Sequence, residues 1–261
     1  MSAPSVMIVL PTLGHRTETL ELALASCDTL VGAHSATVYL VAPASATGAR
    51  ALGVASGATI VDDPGAGMAE AINAALKAGG DHPYYVWLGD DDFLVGEGIS
   101  RAVAALDDDS HAVVAYGHCD YMDAQGNSLA LNRAGKLARF LLPWGPNLIP
   151  HPGTVVRRDA IVRAGGFTPG YSYALDLDLF LRLRKLGSFL PIPAVTARFR
   201  WHPDSITVAD RQASSREAMA IKKSYLPAWL RWVSPLWHWP VAWASTLAAQ
   251  RLSARVKKGT A

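Results

Sequence analysis

Two runs of three carboxylates, Asp90-Asp91-Asp92 and Asp107-Asp108-Asp109, are the most conspicuous chemistry in this 261-residue sequence. Adjacent carboxylates repel one another unless a cation or hydrogen-bond donors compensate. A divalent cation supplies that compensation, and hard oxygen ligands select magnesium or manganese over zinc. The competing reading is a solvated acidic loop leading into a helix opened by Gly96-Glu97-Gly98-Ile99. A second concentration lies in Leu175-Asp176-Leu177-Asp178-Leu179-Phe180-Leu181-Arg182. An aspartate among leucines is costly unless paired or functional. On a helix, Asp176 and Asp178 point about 200° apart. Arg182, four residues on, can pair with Asp178, which leaves Asp176 as the better catalytic candidate. His151 and His202 each precede a proline. A lone histidine is more often structural, although its titration range lets it assist. Gly65-Ala66-Gly67 could bring backbone amides near a phosphate, but lacks the full glycine-rich signatures.

The elements around these residues decide between the readings. Val6–Leu10, Thr37–Val41, Thr59–Val61, Tyr84–Leu88 and Ala112–Tyr116 read as strands. Helical patterns at Glu18–Ala25, Ala46–Ala51, Met68–Ala78 and Ile99–Leu106 alternate with them, and Leu175–Leu186 follows as a further helix. Alternation of this kind implies a mostly parallel sheet covered on both faces. Ligands of such sheets sit beyond the carboxyl ends of the strands. Asp90–Asp92 follow a strand and fall at that edge; Asp107–Asp109 follow a helix and fall at the opposite one.

The formal net charge of +2 and the lack of a long basic run give no argument for a nucleic-acid partner. Cys27 and Cys119 are far apart and form neither a disulfide framework nor a zinc motif, which fits a reducing cytoplasm. The N-terminal residues do not read as a signal peptide. After Glu217 the composition changes: no acidic residue follows, and five of the eight tryptophans do (Trp229, Trp232, Trp237, Trp239, Trp243). Lys222, Lys223, Arg231, Arg251, Arg255, Lys257 and Lys258 flank them. Rings at headgroup depth with cations toward anionic lipid suit a peripheral membrane contact through 225–258. Packing of the tryptophans on the domain is the alternative. Pro235, His238 and Pro240 weigh against a simple transmembrane span.

In order along the chain, several short motifs resemble the inverting family 2 glycosyltransferases of the GT-A fold, of the bacterial polysaccharide and glycolipid type. Val9-Leu10-Pro11-Thr12 is similar to the family's first strand and nucleotide-contacting loop, and Gly67-Met68-Ala69-Glu70-Ala71-Ile72-Asn73 to its Gly-x-x-Asp-Ala-x-Asn segment, with Glu70 in place of aspartate. Trp87-Leu88-Gly89-Asp90-Asp91-Asp92 resembles the acidic metal motif. Tyr116-Gly117, His151-Pro152-Gly153, Gly165-Gly166-Phe167 and Ala174–Leu179 with Arg182 follow in family order. One departure stands out: the second strand is followed by Ala42-Pro43-Ala44-Ser45 rather than an aspartate-led turn.

The resemblance implies an α/β, Rossmann-like, mostly parallel central sheet flanked by helices, with a C-terminal helical tail. With the change of composition after Glu217, it divides the chain into a GT-A domain at 1–217, with a nucleotide-sugar half at 1–120 and an acceptor half at 121–217, and a basic Trp-rich extension at 218–261. It implies transfer of a sugar from a nucleotide-diphosphate sugar to an acceptor hydroxyl on a glycan or lipid-linked precursor, and the tail suggests that this happens in the cytoplasm at the inner face of the cell membrane. Metal (Mg2+ or Mn2+) falls to Asp91 and Asp92, nucleotide contact to Pro11, Thr12, Gly67, Asn73 and Asp90, with Asp62 or Asp63 replacing the missing second-strand aspartate. Asp176 is the base, Asp178 and Arg182 hold its helix, and His151 and His202 line the acceptor side or the diphosphate. A sugar-phosphate nucleotidyltransferase, for which Leu13-Gly14-His15-Arg16 is a thin signature, and a catalytically silent sugar- or lipid-binding protein are the alternatives.

Overall fold

The computed structural model describes residues 5–201 and 210–236, with positions 240, 241, 243, 244, 246, 247 and 250. His202, Trp237, Trp239 and residues 251–258 lie outside the described residues.

The core starts from β1 (Val6–Pro11), buried along its whole length. Parallel neighbours lie on both sides: β2 (Thr37–Ala42) and β4 (Tyr84–Trp87), with β3 (Thr59–Asp62) beyond β2. β8 (Val155–Arg157) pairs antiparallel with β4 and with β6 (Ala112–Met122). Beyond them run β9 (Ser188–Arg200), parallel to β6, and β5 (Phe93–Leu94), antiparallel to β9. The order is β3-β2-β1-β4-β8-β6-β9-β5, with β7 (Ser128–Asn132) paired to β6. The four N-terminal strands form the expected parallel sheet, and the mostly parallel character holds despite β5, β7 and β8.

Period-2 alternation along these strands separates two cores, as a pleated sheet requires. Met7, Val9, Tyr39, Val41 and Tyr85 face one side, against α4 (Met68–Ala78), α7 (Arg158–Arg163) and α8 (Leu175–Leu183). Ile8, Leu10, Val38, Leu40, Tyr84 and Val86 face the other, against α1 (Thr17–Ser26), α2 (Asp28–His34) and α5 (Gly96–Asp108). α3 (Thr47–Ala55) connects β2 to β3, α6 (Ala138–Leu141) follows β7, and α9 (Arg211–Tyr225) with α10 (Ala228–Arg231) comes after β9. α9 runs through position 217, where the composition changes.

β9 carries no expectation from sequence, for a physical reason. Tyr116 pairs with Pro191 and the next pair is His118 with Val195, so Pro193 bulges out of the ladder, the arrangement that admits proline inside a sheet. Its backbone is also gripped closely. A Cβ at Gly98 would lie 1.9 Å from the Val195 carbonyl oxygen, and one at Gly117 would lie 2.4 Å from Thr196 Cγ2. Only glycine leaves β9 room between α5 and β6.

Chain order reverses beside β1: the path leads outward to β2 and β3, then returns to β4 on the other side. The crevice beyond the carboxyl ends of β1 and β4 is where such sheets bind ligands. Thr12 and Asp90–Asp92 stand there. The second triplet is at the opposite edge and is structural. Asp107 accepts a hydrogen bond from the Tyr84 hydroxyl at the start of β4, and Asp109 Oδ1 accepts from the His111 amide at 2.9 Å.

Candidate active site

A cleft of about 1090 Å³ opens at this edge and brings together residues from every part of the fold. Pro11, Thr12, Asp63, Gly67, Asp90, Asp91, Asp92, His151 and Asp176 all line it. Four of the expected residues do not. Asp62 is largely exposed and pairs with Arg50 at 2.8 Å. Asn73 spends both ends of its amide on Phe167, donating to its carbonyl at 2.8 Å and accepting from its N–H at 2.9 Å. It therefore ties the 67–73 and 165–167 motifs to each other. Asp178 and Arg182 are the others, as the opposed helix faces require.

Asp178 is buried and accepts from Arg182 Nη2 at 2.7 Å, from the Thr168 hydroxyl at 2.6 Å and from the Tyr225 hydroxyl at 2.9 Å. Arg182 Nη1 donates to the Ala164 and Gly166 carbonyls at 2.6 and 2.7 Å. Removing one partner of a buried pair strands the other charge. Asp178→Ala is therefore expected to destabilise the fold by about 3 kcal/mol, read as a lower urea midpoint. An unchanged midpoint would remove this pair from the framework.

Within the acidic run the three side chains have different surroundings. The Thr12 hydroxyl donates to Asp90 Oδ2 at 2.6 Å, and Arg16 Nη1 donates to Asp91 Oδ2 at 2.6 Å while lying 3.8 Å from Asp90 Oδ1. Burial raises the Asp90 pKa, opposed by the Thr12 bond. Asp92 is buried and its Oδ1 accepts from the Arg200 N–H at 2.9 Å. Burial, then the Asp91 charge, push its carboxyl well above the usual range. The Arg200 side chain also donates to the Asp91 carbonyl at 3.1 Å and to the Ala124 carbonyl, so β9 and the β6–β7 turn clasp this loop.

Among the described residues, no group of three or more His, Cys, Asp or Glu side chains could hold a metal ion. The donor set nevertheless suits a hard cation bound through fewer protein ligands. Asp90 and Asp91 carboxylates share one guanidinium, which already supplies positive charge at that point. Magnesium is commonly held by one or two carboxylates, with water and phosphate oxygens completing its shell. Asp92 fits less well, since it is buried and engaged with β9.

Gly67 is the residue before α4, with φ 102°, a conformation that L side chains rarely adopt. With Gly65 and Ala66 it forms the stretch of cleft wall ahead of that helix, and Asp63 Oδ1 accepts from the Gly65 N–H at 2.9 Å. His151 stacks on Trp87 with centroids 4.5 Å apart and planes 6° apart. Burial lowers its pKa to about 3, so the ring is neutral and brings no cation to a diphosphate.

Asp176 stands in the first turn of α8 and accepts from Asn147 Nδ2 at 3.0 Å. Burial raises its pKa to about 6, against the backbone hydrogen bonds of the helix start that lower it. A carboxylate so tuned is ionised at neutral pH and still basic enough to take a proton. Sequence reasoning missed Arg16, Asn147, Arg200 and Glu217, and it placed Lys222 among the tail's lipid-facing cations, whereas Lys222 is buried and donates to the Gly145 carbonyl. Only Arg16, just past the first strand, carried a local signal.

No protein-family model matches the chain, and no curated protein does. Solved structures do match. The chain is similar to the mannosyltransferase PcManGT from Pyrobaculum calidifontis in complex with GDP-Man and Mn2+, with a TM-score of 0.67 and 17% identity over 100% of this chain and 80% of that one. Residues 1–349 of S. aureus TarS in complex with UDP-GlcNAc match with a TM-score of 0.61 and 11% identity, over 87% and 69% of the two chains. Another S. aureus TarS structure is covered over only 41% of its length. Glucosyl-3-phosphoglycerate synthase from Mycobacterium tuberculosis, with Mn2+, UDP and glucosyl-3-phosphoglycerate, matches with a TM-score of 0.60 and 19% identity, over 86% and 82%. Sheet order, cleft position and these likenesses agree: the chain has the GT-A fold.

Proposed function

We propose that this chain is an inverting, family 2-like glycosyltransferase that moves a sugar from a nucleotide-diphosphate donor to an acceptor hydroxyl. The observation that carries the reading is the meeting, in one cleft, of Asp176 with the acidic run at the switch point of the sheet. The nucleotide-bearing neighbours support a donor of that class. Residues 1–120 supply the donor end, through Pro11, Thr12, Asp63 and Gly67; residues 121–217 supply the acceptor end.

In this mechanism Asp176 accepts the proton of the acceptor hydroxyl as its oxygen attacks the anomeric carbon. The new carbon–oxygen bond forms as the bond to the diphosphate breaks, and the nucleoside diphosphate leaves with the electron pair. One displacement inverts the centre. Asp91, with Asp90, would hold a divalent cation, which when bound supplies charge neutralisation for the leaving diphosphate. Arg16 holds Asp90 and Asp91 in place, and Asn147 orients Asp176. Assay of a panel of nucleotide sugars with Mg2+ or Mn2+ tests the reading. Anomeric inversion in the product is expected; absence of transfer across the panel would defeat it.

The acceptor in this reading is glycan- or lipid-linked, and the tail meets the inner face of the cell membrane. Among the described residues, no helix is long and apolar enough to cross a membrane. Trp229, Trp232 and Trp243 are 72%, 88% and 68% exposed, which favours contact with a lipid surface over packing on the domain. Vesicles containing anionic lipid are expected to co-sediment the protein, and Trp229→Ala with Trp232→Ala and Trp243→Ala to lower the bound fraction several-fold. Equal binding by the triple variant would refute the contact.

A further inference from the structure

Helix α9 forms part of the cleft wall through Ser214, Ser215, Ala218, Met219 and Lys222, one stripe at helical spacing. Two of its side chains grip the segments around Asp176. Glu217 accepts from the N–H groups of Ser172 at 3.0 Å, Tyr173 at 2.8 Å and Ala174 at 2.7 Å. These amides stand immediately ahead of α8, where a helix leaves donors unpaired and favours negative charge. Lys222 is buried and donates to the Gly145 carbonyl. That carbonyl belongs to the loop whose Asn147 bonds Asp176. One anchor thus holds the helix start that carries Asp176, and the other holds the loop that orients it.

The anchors also carry opposite charges. The Glu217 charge raises the proton affinity of Asp176, adding to burial. Burial lowers the Lys222 pKa to about 8, and the Asp176 charge opposes that lowering; reciprocally, a nearby ammonium favours the ionised carboxylate. Of the other groups near Asp176, Asp178 is turned into its pair with Arg182. Asn147 and His151 of the 145–152 loop are neutral. Tyr171 and Tyr173 bring phenols, the Tyr171 pKa raised by burial. Asp63 and Asp90–Asp92, with His15 and Arg16, are the other acidic and basic groups lining the same cleft.

We propose that Glu217 and Lys222 are positioning residues for Asp176, fixing its place in the cleft and, through their opposite charges, its affinity for a proton. The catalytic part of this inference rests on Asp176 being the base; the electrostatic part does not.

The test is a carbon-13 carboxyl NMR titration of the full chain, with the Asp176 resonance identified by its loss in Asp176→Asn. Lys222→Met is expected to raise the Asp176 midpoint, and Glu217→Gln to lower it, each by up to about one pH unit. Lys222→Arg is expected to keep the midpoint near that of the unmodified chain. The acid limb of kcat/KM moves in the same two directions. Lys222→Gln removes the same charge and replaces Lys222→Met should that variant not fold. A midpoint unmoved in both charge-removing variants, or moved with the opposite signs, overturns the proposal. Shifts of the expected signs with undiminished transfer by Asp176→Asn would uphold the electrostatics and remove only the base assignment.

Discussion

Asp176→Asn is expected to lower kcat/KM for sugar transfer by about 10²- to 10⁴-fold, the range for loss of a positioned general base. Asparagine keeps the shape and can still accept from Asn147, but it cannot take the acceptor proton. Donor affinity, measured by nucleotide titration, is expected to stay unchanged, because in the proposed mechanism the base sits with the acceptor. In the unmodified protein kcat/KM is expected to fall as pH drops below about 6, where burial has placed the Asp176 carboxyl. Its folded pKa is raised above the ordinary value of 3.8, so its stabilising effect is complete below the ordinary pKa and lost as pH rises through about 6. At neutral pH the ionised group costs stability. The asparagine variant should therefore be more stable there, by about 2 kcal/mol after allowance for its partial exposure. A variant that is inactive and melts higher excludes unfolding as the cause. Undiminished transfer would remove Asp176 from the mechanism.

Removal of divalent cations is expected to have a comparable effect. Chelation should reduce transfer by about a hundredfold or more, and added Mg2+ or Mn2+ should restore it, since charge neutralisation of a leaving diphosphate contributes several kcal/mol. Asp91→Asn is expected to reproduce the loss and to raise the cation concentration needed for half-maximal rate. Asp92→Asn should act differently. Its carboxylate is spent on the Arg200 amide within the fold, so the change is expected to appear in stability before cation dependence. Full activity in chelator would instead assign neutralisation to Arg16, which reaches Asp91 at 2.6 Å.

Residues whose role follows from their own neighbourhood were legible in the sequence. Val6–Leu10 and Tyr84–Leu88 announce buried strands through unbroken apolar character, and their order with the intervening helices places Asp90–Asp92 at the ligand-binding edge. Helical geometry alone separates Asp176 from Asp178. What was not legible depends on partners far along the chain. Asn73 matches a family motif, yet its amide bonds a backbone 94 residues away. Glu217 read only as the last acidic residue before the tail and Lys222 as one of the tail's cations, because the amides and carbonyl they serve lie 43 to 77 residues earlier. β9 was hidden by its prolines, of which Pro193 is accommodated by a bulge in the ladder.

The narrow passage that Gly98 and Gly117 leave for β9 also governs how the chain can mature. The turn bearing Asp92 leaves the ribosome early, but the donor its carboxylate uses belongs to Arg200, at the far end of β9. A nascent chain of the first 120 residues would hold the acidic loop without its clasp. A methyl group added at either glycine would obstruct the strand that delivers it. The acidic end of the cleft is therefore completed only when the last third of the chain arrives, and the first 120 residues alone are not expected to hold it in this form.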